Sequence, residues 1–484
     1  MNYSKVIKNY ILNTLYQILV LIVPLITTPY ISRVLGASNV GIYQFTQSVA
    51  TYFVLISAVG TTLYGQREIA YLQNDIEKRT QTFWEIEIFR SISVLLCTIL
   101  YIFIFCIHGQ YYKMYTILLI EVIANAIDIS WLFIGLEDFK VTIIRNSIVR
   151  LTGILFVFLF VKTSNDLIIY TYCVTVPILI GNISLWFGLK KYLCKINLNK
   201  HDLLQGIKKR LKSVFALFLP QVAINVYTVL DKIMIGIFAT DLDQVGYYSQ
   251  AQKIMQLVLT IVASLGTVML PAMSSAYAKG NSASMINGIK KSFRFTFFLS
   301  SALMFGICSI AYRFVPIFFG NGYDLVFPLI IIISPILLII GVSNVIGRQF
   351  LLPTNQQKQF TISIIAGAGL NLSLNIILIH FWNAIGASIA TVFAELTVTL
   401  VQCWFVRKQI SVGECMKPCL KYIVMGFFMF IIVFIVGIFL PDNSIISLSI
   451  MIICGIAVYI AELFVTKDSM AEMAIRILKN RFCR

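Results

Sequence analysis

The stretch PLITTPYISRVLGASNVGIY, Pro24 to Tyr43, decides how the chain is read. It sets Pro24 and Pro29 inside one apolar run, follows them with Arg33 and the turn Gly36-Ala37-Ser38, and then opens a second apolar run. Each proline removes a helical hydrogen bond and crowds the preceding turn, which would break a helix in water. In lipid the backbone must satisfy its own polar groups, and neighbouring helices let a proline-bearing helix persist. The stretch therefore reads as the outer end of one membrane helix, a tight turn, and the start of the next. The prolines become hinge candidates, with static kinking for packing as the alternative.

Composition extends this reading to the whole chain. Of 484 residues, 59% are hydrophobic and 12% charged, and the mean hydropathy is +0.87, beyond a soluble globular domain. A span of about 20 apolar residues crosses roughly 30 Å of hydrocarbon. Such runs recur at about 11–34, 39–64, 84–107, 111–136, 142–163, 165–188, 213–238, 247–275, 295–318, 323–346, 359–380, 384–406, 422–440 and 443–466. The expectation is an all-α polytopic membrane protein of about fourteen transmembrane helices. Lys5 and Lys8 precede the first run, but its length and the lack of a small-residue cleavage site predict an uncleaved span rather than a signal peptide.

The 38 Lys and Arg exceed the 21 Asp and Glu, a net +17. With the N-terminus inside, the basic residues concentrate in Lys5 and Lys8, Arg67 to Arg79, Lys140, Lys190 to Lys212, Lys279 to Arg294, Arg348 to Lys358, Arg407 to Lys421 and the tail. The positive-inside rule accounts for this pattern and makes nucleic acid unnecessary as a partner. Both termini are expected in the cytoplasm. The ten cysteines are scattered, and "ECMKPC" at 414–419 lacks zinc-site pairing. His108, His201 and His380 share no ligand spacing with them. No metal or cofactor is expected.

The longest polar segment, KKYLCKINLNKHDLLQGIKKRLK at 190–212, reads as a basic linker with a short amphipathic helix on the anionic inner leaflet. It divides the chain into a six-helix lobe at 1–189, the linker, a second six-helix lobe at 213–408, and two further helices with a tail at 409–484. The lobes echo each other. Val40, Gly41, Tyr43, Gln47, Ile56 and Ala58 match Val245, Gly246, Tyr248, Gln252, Ile261 and Ala263, each pair 205 positions apart. Two parallel, pseudo-symmetric bundles follow, related about the membrane normal.

Four segments carry a family likeness: PLITTPYISRVLGASNVGIYQF, YTVLDKIMIG, VGYYSQAQKI and LGTVMLPAMS. Across the first twelve spans the chain resembles the Wzx-type polysaccharide repeat-unit flippases of the multidrug, oligosaccharidyl-lipid and polysaccharide exporter superfamily. The resemblance implies two lobes around a cavity that opens alternately to each side of a bacterial cytoplasmic membrane. It implies as cargo an oligosaccharide on undecaprenyl pyrophosphate, flipped outward for capsule, exopolysaccharide or surface antigen. Glycosyltransferases and a polysaccharide polymerase would be the accompanying partners. Alternating access also gives the prolines a purpose, and Pro220 and Pro271 place similar breaks in the second lobe.

Charges at membrane depth are costly and face a partner or a watery cavity. Arg90, Arg145 and Arg150 lie toward the inner side; Arg33, Lys232 and Lys253 lie toward the outer side. These six form a candidate two-sided path for pyrophosphate, since arginine holds phosphate in a fork and lysine as a point charge. Glu121, Asp128, Asp231 and Glu395 are candidates for coupling transport to protons or sodium. Ion pairing of Arg145 or Arg150 with Asp128 or Glu121, and of Asp231 with Lys253, is the structural alternative. The competing functions are a lipid II flippase, a cation-coupled drug antiporter, or a membrane polymerase. The last needs a large outer loop, and every predicted outer loop is about ten residues or fewer. No phosphate-binding glycine loop is present, so an enzyme is not expected.

Overall fold

The computed structural model describes residues 3–107, 110–196, 200–442 and 444–468, with side chains from Thr14 onward apart from 200–202, 216–217, 219–228 and a few positions between 265 and 282. Every regular element among them is a helix. Among the described residues, eleven segments are long and apolar enough to cross a membrane. Two of these, Thr14–Tyr71 and Gln357–Val406, run to 58 and 50 residues, well past the ~20 that one crossing needs. The first is interrupted at Gly36 (φ 76°, ψ 171°), inside α1 (Tyr3–Ala58), and again at Val59 and Gly60, where φ is positive and α1 ends; the second is interrupted at Asn383 (φ 48°, ψ −127°) in α13 (Gln357–Val406).

The break in the opening stretch thus sits on Gly36 alone. Pro24 and Pro29 lie inside continuous helix, as does Pro271 in α9 (Asp243–Ala278). The side chain of Pro220 lies outside the described residues. Pro177 and Pro316 occupy two further helices, α7 (Leu167–Phe187) and α10 (Ser282–Phe319).

Two expectations are corrected. The fourth span is not one helix: α4 (Tyr112–Ile127) stops, Asp128 and Ile129 leave helical geometry, and α5 (Ser130–Gly135) restarts it. The basic linker does not hold a separate helix, because α8 (Lys200–Phe238) runs unbroken from linker into the seventh span. Arg210 ties the start of α8 down. Its Nε donates to Glu85 Oε2 at 2.6 Å, and its terminal nitrogens reach Tyr64, Glu68 and Thr82. Gly206, one turn earlier on that face, lets the helix approach, since a Cβ there would stand 2.2 Å from Glu85 Oε1.

The chain divides into two compact units, 1–237 with 241–246, and 238–240 with 247–484. In the first, α2 (Thr61–Tyr71), α3 (Ile76–Tyr101), α6 (Phe139–Phe160) and α7 join α1, α4 and α5. One of its cores stacks Phe83 on Trp131, ring centroids 5.3 Å apart. In the second unit, α15 (Lys421–Phe439) and α16 (Ile445–Val465) pack on α10 through Phe297, Tyr422, Met429 and Tyr459. Leu95, Leu96, Ile99 and Leu100 are exposed on α3 while Glu85, Glu87 and Arg90 on the same helix are buried. Apolar groups facing outward and charges facing inward is the arrangement lipid imposes.

Candidate functional site

The break in the fourth span organises a polar cluster inside the first unit. Ending α4 at Ile127 strips several carbonyls of helical partners, and side chains from two helices, α3 and α7, replace them. Asn182 Nδ2 donates to Ala124 O at 2.8 Å, Trp186 Nε1 to Ile127 O at 2.7 Å, and Arg90 to Asp128 O at 2.7 Å. The Asp128 side chain accepts the backbone N–H of Ser130 at 2.9 Å and so starts α5.

Two asparagines then hold two arginines. Asn182 Oδ1 accepts from Arg145 at 2.9 Å, and Asn125 Oδ1 accepts from Arg90 at 2.5 Å. The amide of Asn125 is held in turn by Ser57 Oγ and Val54 O. Arg145 also pairs with Asp128 Oδ1 at 3.3 Å, the interhelical ion pair expected from depth counting. Glu121 does not pair with an arginine: it accepts from Gln47 Nε2 at 2.7 Å.

Arg145 is where this cluster meets a cavity of about 410 Å³ between α1, α6 and α7. Arg145, Asn146 and Arg150 supply cation and amide on α6, with Tyr16, Thr27 and Tyr170 opposite. Val149, Ile154, Val157, Val174 and Ile178 make the rest of the wall apolar. Arg150 stacks over the Tyr16 ring at 5.8 Å, and among the described residues no carboxylate pairs with it. The cavity therefore offers one committed and one uncommitted guanidinium beside an apolar channel. That suits an anionic head with an apolar tail.

Of the six path candidates, only Arg145 and Arg150 line this cavity. Arg90 is 1% exposed and lies behind it, bonded to the helix break. Arg33 is exposed on α1, Lys232 reaches Gln44 Oε1 at 3.4 Å, and Lys253 is half-buried in the second unit. Asp231 is buried in the first unit, and Glu395 is half-buried in the second. Asn125, Asn182, Tyr16 and Tyr170 escaped sequence reasoning. The two asparagines carried a signal, since an amide inside an apolar run needs an internal partner.

A family model described as "Polysaccharide biosynthesis protein" matches residues 6–277. The "Putative O-antigen transporter" of Escherichia coli (strain K12) is 28% identical over 392 residues, 80% of this chain and 93% of that protein. Among solved structures, the lipid II flippase MurJ in an inward closed conformation superposes with a TM-score of 0.78 at 19% identity, covering 95% of this chain and 100% of that one. An inward-facing multidrug resistance MATE family transporter of the MOP superfamily gives 0.62 at 12% identity, with 81% and 95% covered. The fold of the chain is that of these transporters.

Proposed function

The chain belongs to the polysaccharide biosynthesis protein family, and from that premise we propose that it flips undecaprenyl-pyrophosphate-linked oligosaccharide repeat units from the inner to the outer leaflet by alternating access. It is a multi-pass membrane transporter and not an enzyme. The observation that carries the cargo reading is the cavity's pairing of unsatisfied Arg150 with an apolar wall. A pyrophosphate bears about two negative charges, and leaving them unpaired in hydrocarbon is prohibitive. Arg150 provides the counter-charge, Tyr16 its resting place, and the apolar wall a seat for the first units of the polyprenyl chain. Arg145 adds positive field while remaining bound to Asp128 and Asn182.

Coupling to a proton or sodium gradient is assigned to the carboxyl groups Glu121, Asp231 and Glu395 rather than Asp128, which is taken up by Arg145 and α5. The termini and the basic linker are placed in the cytoplasm, where glycosyltransferases deliver the cargo. The test is flipping of a labelled undecaprenyl-pyrophosphate oligosaccharide in vesicles, with and without a proton gradient, and with lipid II as the competing cargo. Arg150→Gln should reduce flipping at least about tenfold, the value of one lost charge-assisted contact, and Arg150→Lys should recover part of it. Unchanged flipping by Arg150→Gln would remove the cavity from the path. Preference for lipid II would reassign the cargo.

A further inference from the structure

A second pocket lies at the opposite end of the first unit from the linker. Three segments converge there: the residues after the Gly36 break, the start of α4, and the connection from α6 to α7. They enclose about 510 Å³. The floor is apolar, with Ile42, Met114 and Leu167. The rim is not: it carries the amides of Asn39, Gln110 and Asn165, the Ser164 hydroxyl, the rings of Tyr111 and Tyr112, and the ammonium of Lys113.

Its walls are held in place. Asn39 Nδ2 donates to Ser164 O at 2.8 Å and to Leu35 O at 3.1 Å, tying the α1 turn to the α6–α7 connection. That connection is closed by a capping box in which Asp166 Oδ2 accepts the backbone N–H groups of Lys162 and Thr163 and the Thr163 hydroxyl. The carboxylate is spent on its own loop. Met114 forms the floor against α7, its sulfur accepting the Thr171 hydroxyl at 3.7 Å.

Lys113 lies 6.0 Å from the centroid of the Tyr112 ring, and among the described residues no carboxylate lines the pocket. Tyr112 is 49% exposed.

We propose that this pocket is a saccharide-binding subsite that favours a sugar carrying a carboxylate. Tyrosine rings offer flat apolar faces for the C–H face of a pyranose, neutral amides at several angles match its hydroxyls, and one uncompensated cation selects an acid group. A rim fixed in advance lowers the ordering cost of a weak ligand. Assigning that sugar to the cargo on the outer side rests on the flippase reading; the binding chemistry does not. The competing description is an interfacial belt, in which Tyr111, Tyr112 and Lys113 only meet lipid headgroups.

The probes are D-glucuronate and D-glucose, observed by saturation-transfer NMR on the full chain in neutral detergent. Glucuronate should give a transfer signal at millimolar concentration, and glucose a weaker one. Lys113→Gln should weaken glucuronate binding about tenfold, as expected for losing one charge-assisted contact, and leave glucose unchanged. Tyr112→Ala should weaken both. Equal displacement of glucuronate by glycerol 1-phosphate would show a headgroup site and overturn the proposal, as would signals indifferent to both rim substitutions. If Arg150→Gln leaves flipping intact while the rim variants still lose glucuronate, the cargo path is wrong and the saccharide site stands.

Discussion

Replacing Arg145 by glutamine would leave Asp128 Oδ1 with only the Ser130 backbone N–H, at membrane depth and beside a helix break. Removing one partner of a fully buried pair costs about 3–5 kcal/mol. Arg145 is 13% and Asp128 29% exposed, so solvent screening brings that to about 1–3 kcal/mol. Arg145→Gln should therefore lower the amount of folded protein, and adding Asp128→Asn should restore it; detergent-extracted abundance by fluorescence-detected size exclusion reads both. Arg150→Gln should leave abundance unchanged. Equal loss in the two arginine variants, without rescue by Asp128→Asn, would refute the division between a positioning and a binding arginine. The charges were legible from the sequence because any ionisable residue in an apolar run demands explanation. Their roles were not, since Asn125 and Asn182 decide which guanidinium is already satisfied, and neutral amides draw no attention in a charge count.

Helices show the same split between pattern and placement. The repeat spacing of 205 was read from residue matches, and the structure gives it a local meaning at two of them. A Cβ added to Gly41 would stand 1.8 Å from Leu242 O, and one added to Gly246 would stand 2.4 Å from Ala37 O. Ala37 and Leu242 are themselves 205 apart, so the contact is reciprocal. Glycine at both positions permits backbones to touch. Gly41→Ala and Gly246→Ala should each cost about 1–3 kcal/mol through overpacking. Gly36→Ala meets no atom within 4 Å and should cost only the backbone strain of its glycine-favouring φ 76°, ψ 171°, about 1–3 kcal/mol. Thermal unfolding followed by tryptophan fluorescence measures them, and Gly41→Ala or Gly246→Ala variants as stable as the parent would contradict the packing account. The prolines gave the opposite lesson: they drew attention to the first span, yet the chain turns at Gly36. Tertiary neighbours keep a proline-bearing helix straight enough, whereas only a residue free of a Cβ takes a φ of 76° without strain.

For the whole molecule, charge placement predicts orientation, and the few outer basic residues test the rule. Arg313 is one of them, and it is committed: 4% exposed, it donates to Gly437 O at 2.5 Å and Leu440 O at 2.8 Å, closing the end of α15, and pairs with Asp442. Its placement answers to α15 and not to membrane topology, so the cytoplasmic clusters decide the orientation. Lys195 is exposed in the linker and Asn165 is exposed in the α6–α7 connection, one predicted span apart and hence on opposite sides of the bilayer. In a chain whose native cysteines are replaced by serine or alanine, Lys195→Cys should react with a membrane-impermeant maleimide only after the cells are permeabilised. Asn165→Cys should react in intact cells. The reverse pattern would turn the protein over, placing the basic linker outside and the saccharide pocket on the side where the cargo is made. Reaction of both in intact cells would mean that the segment 167–187 does not cross the membrane, and the six-span reading of the first lobe would fail with it.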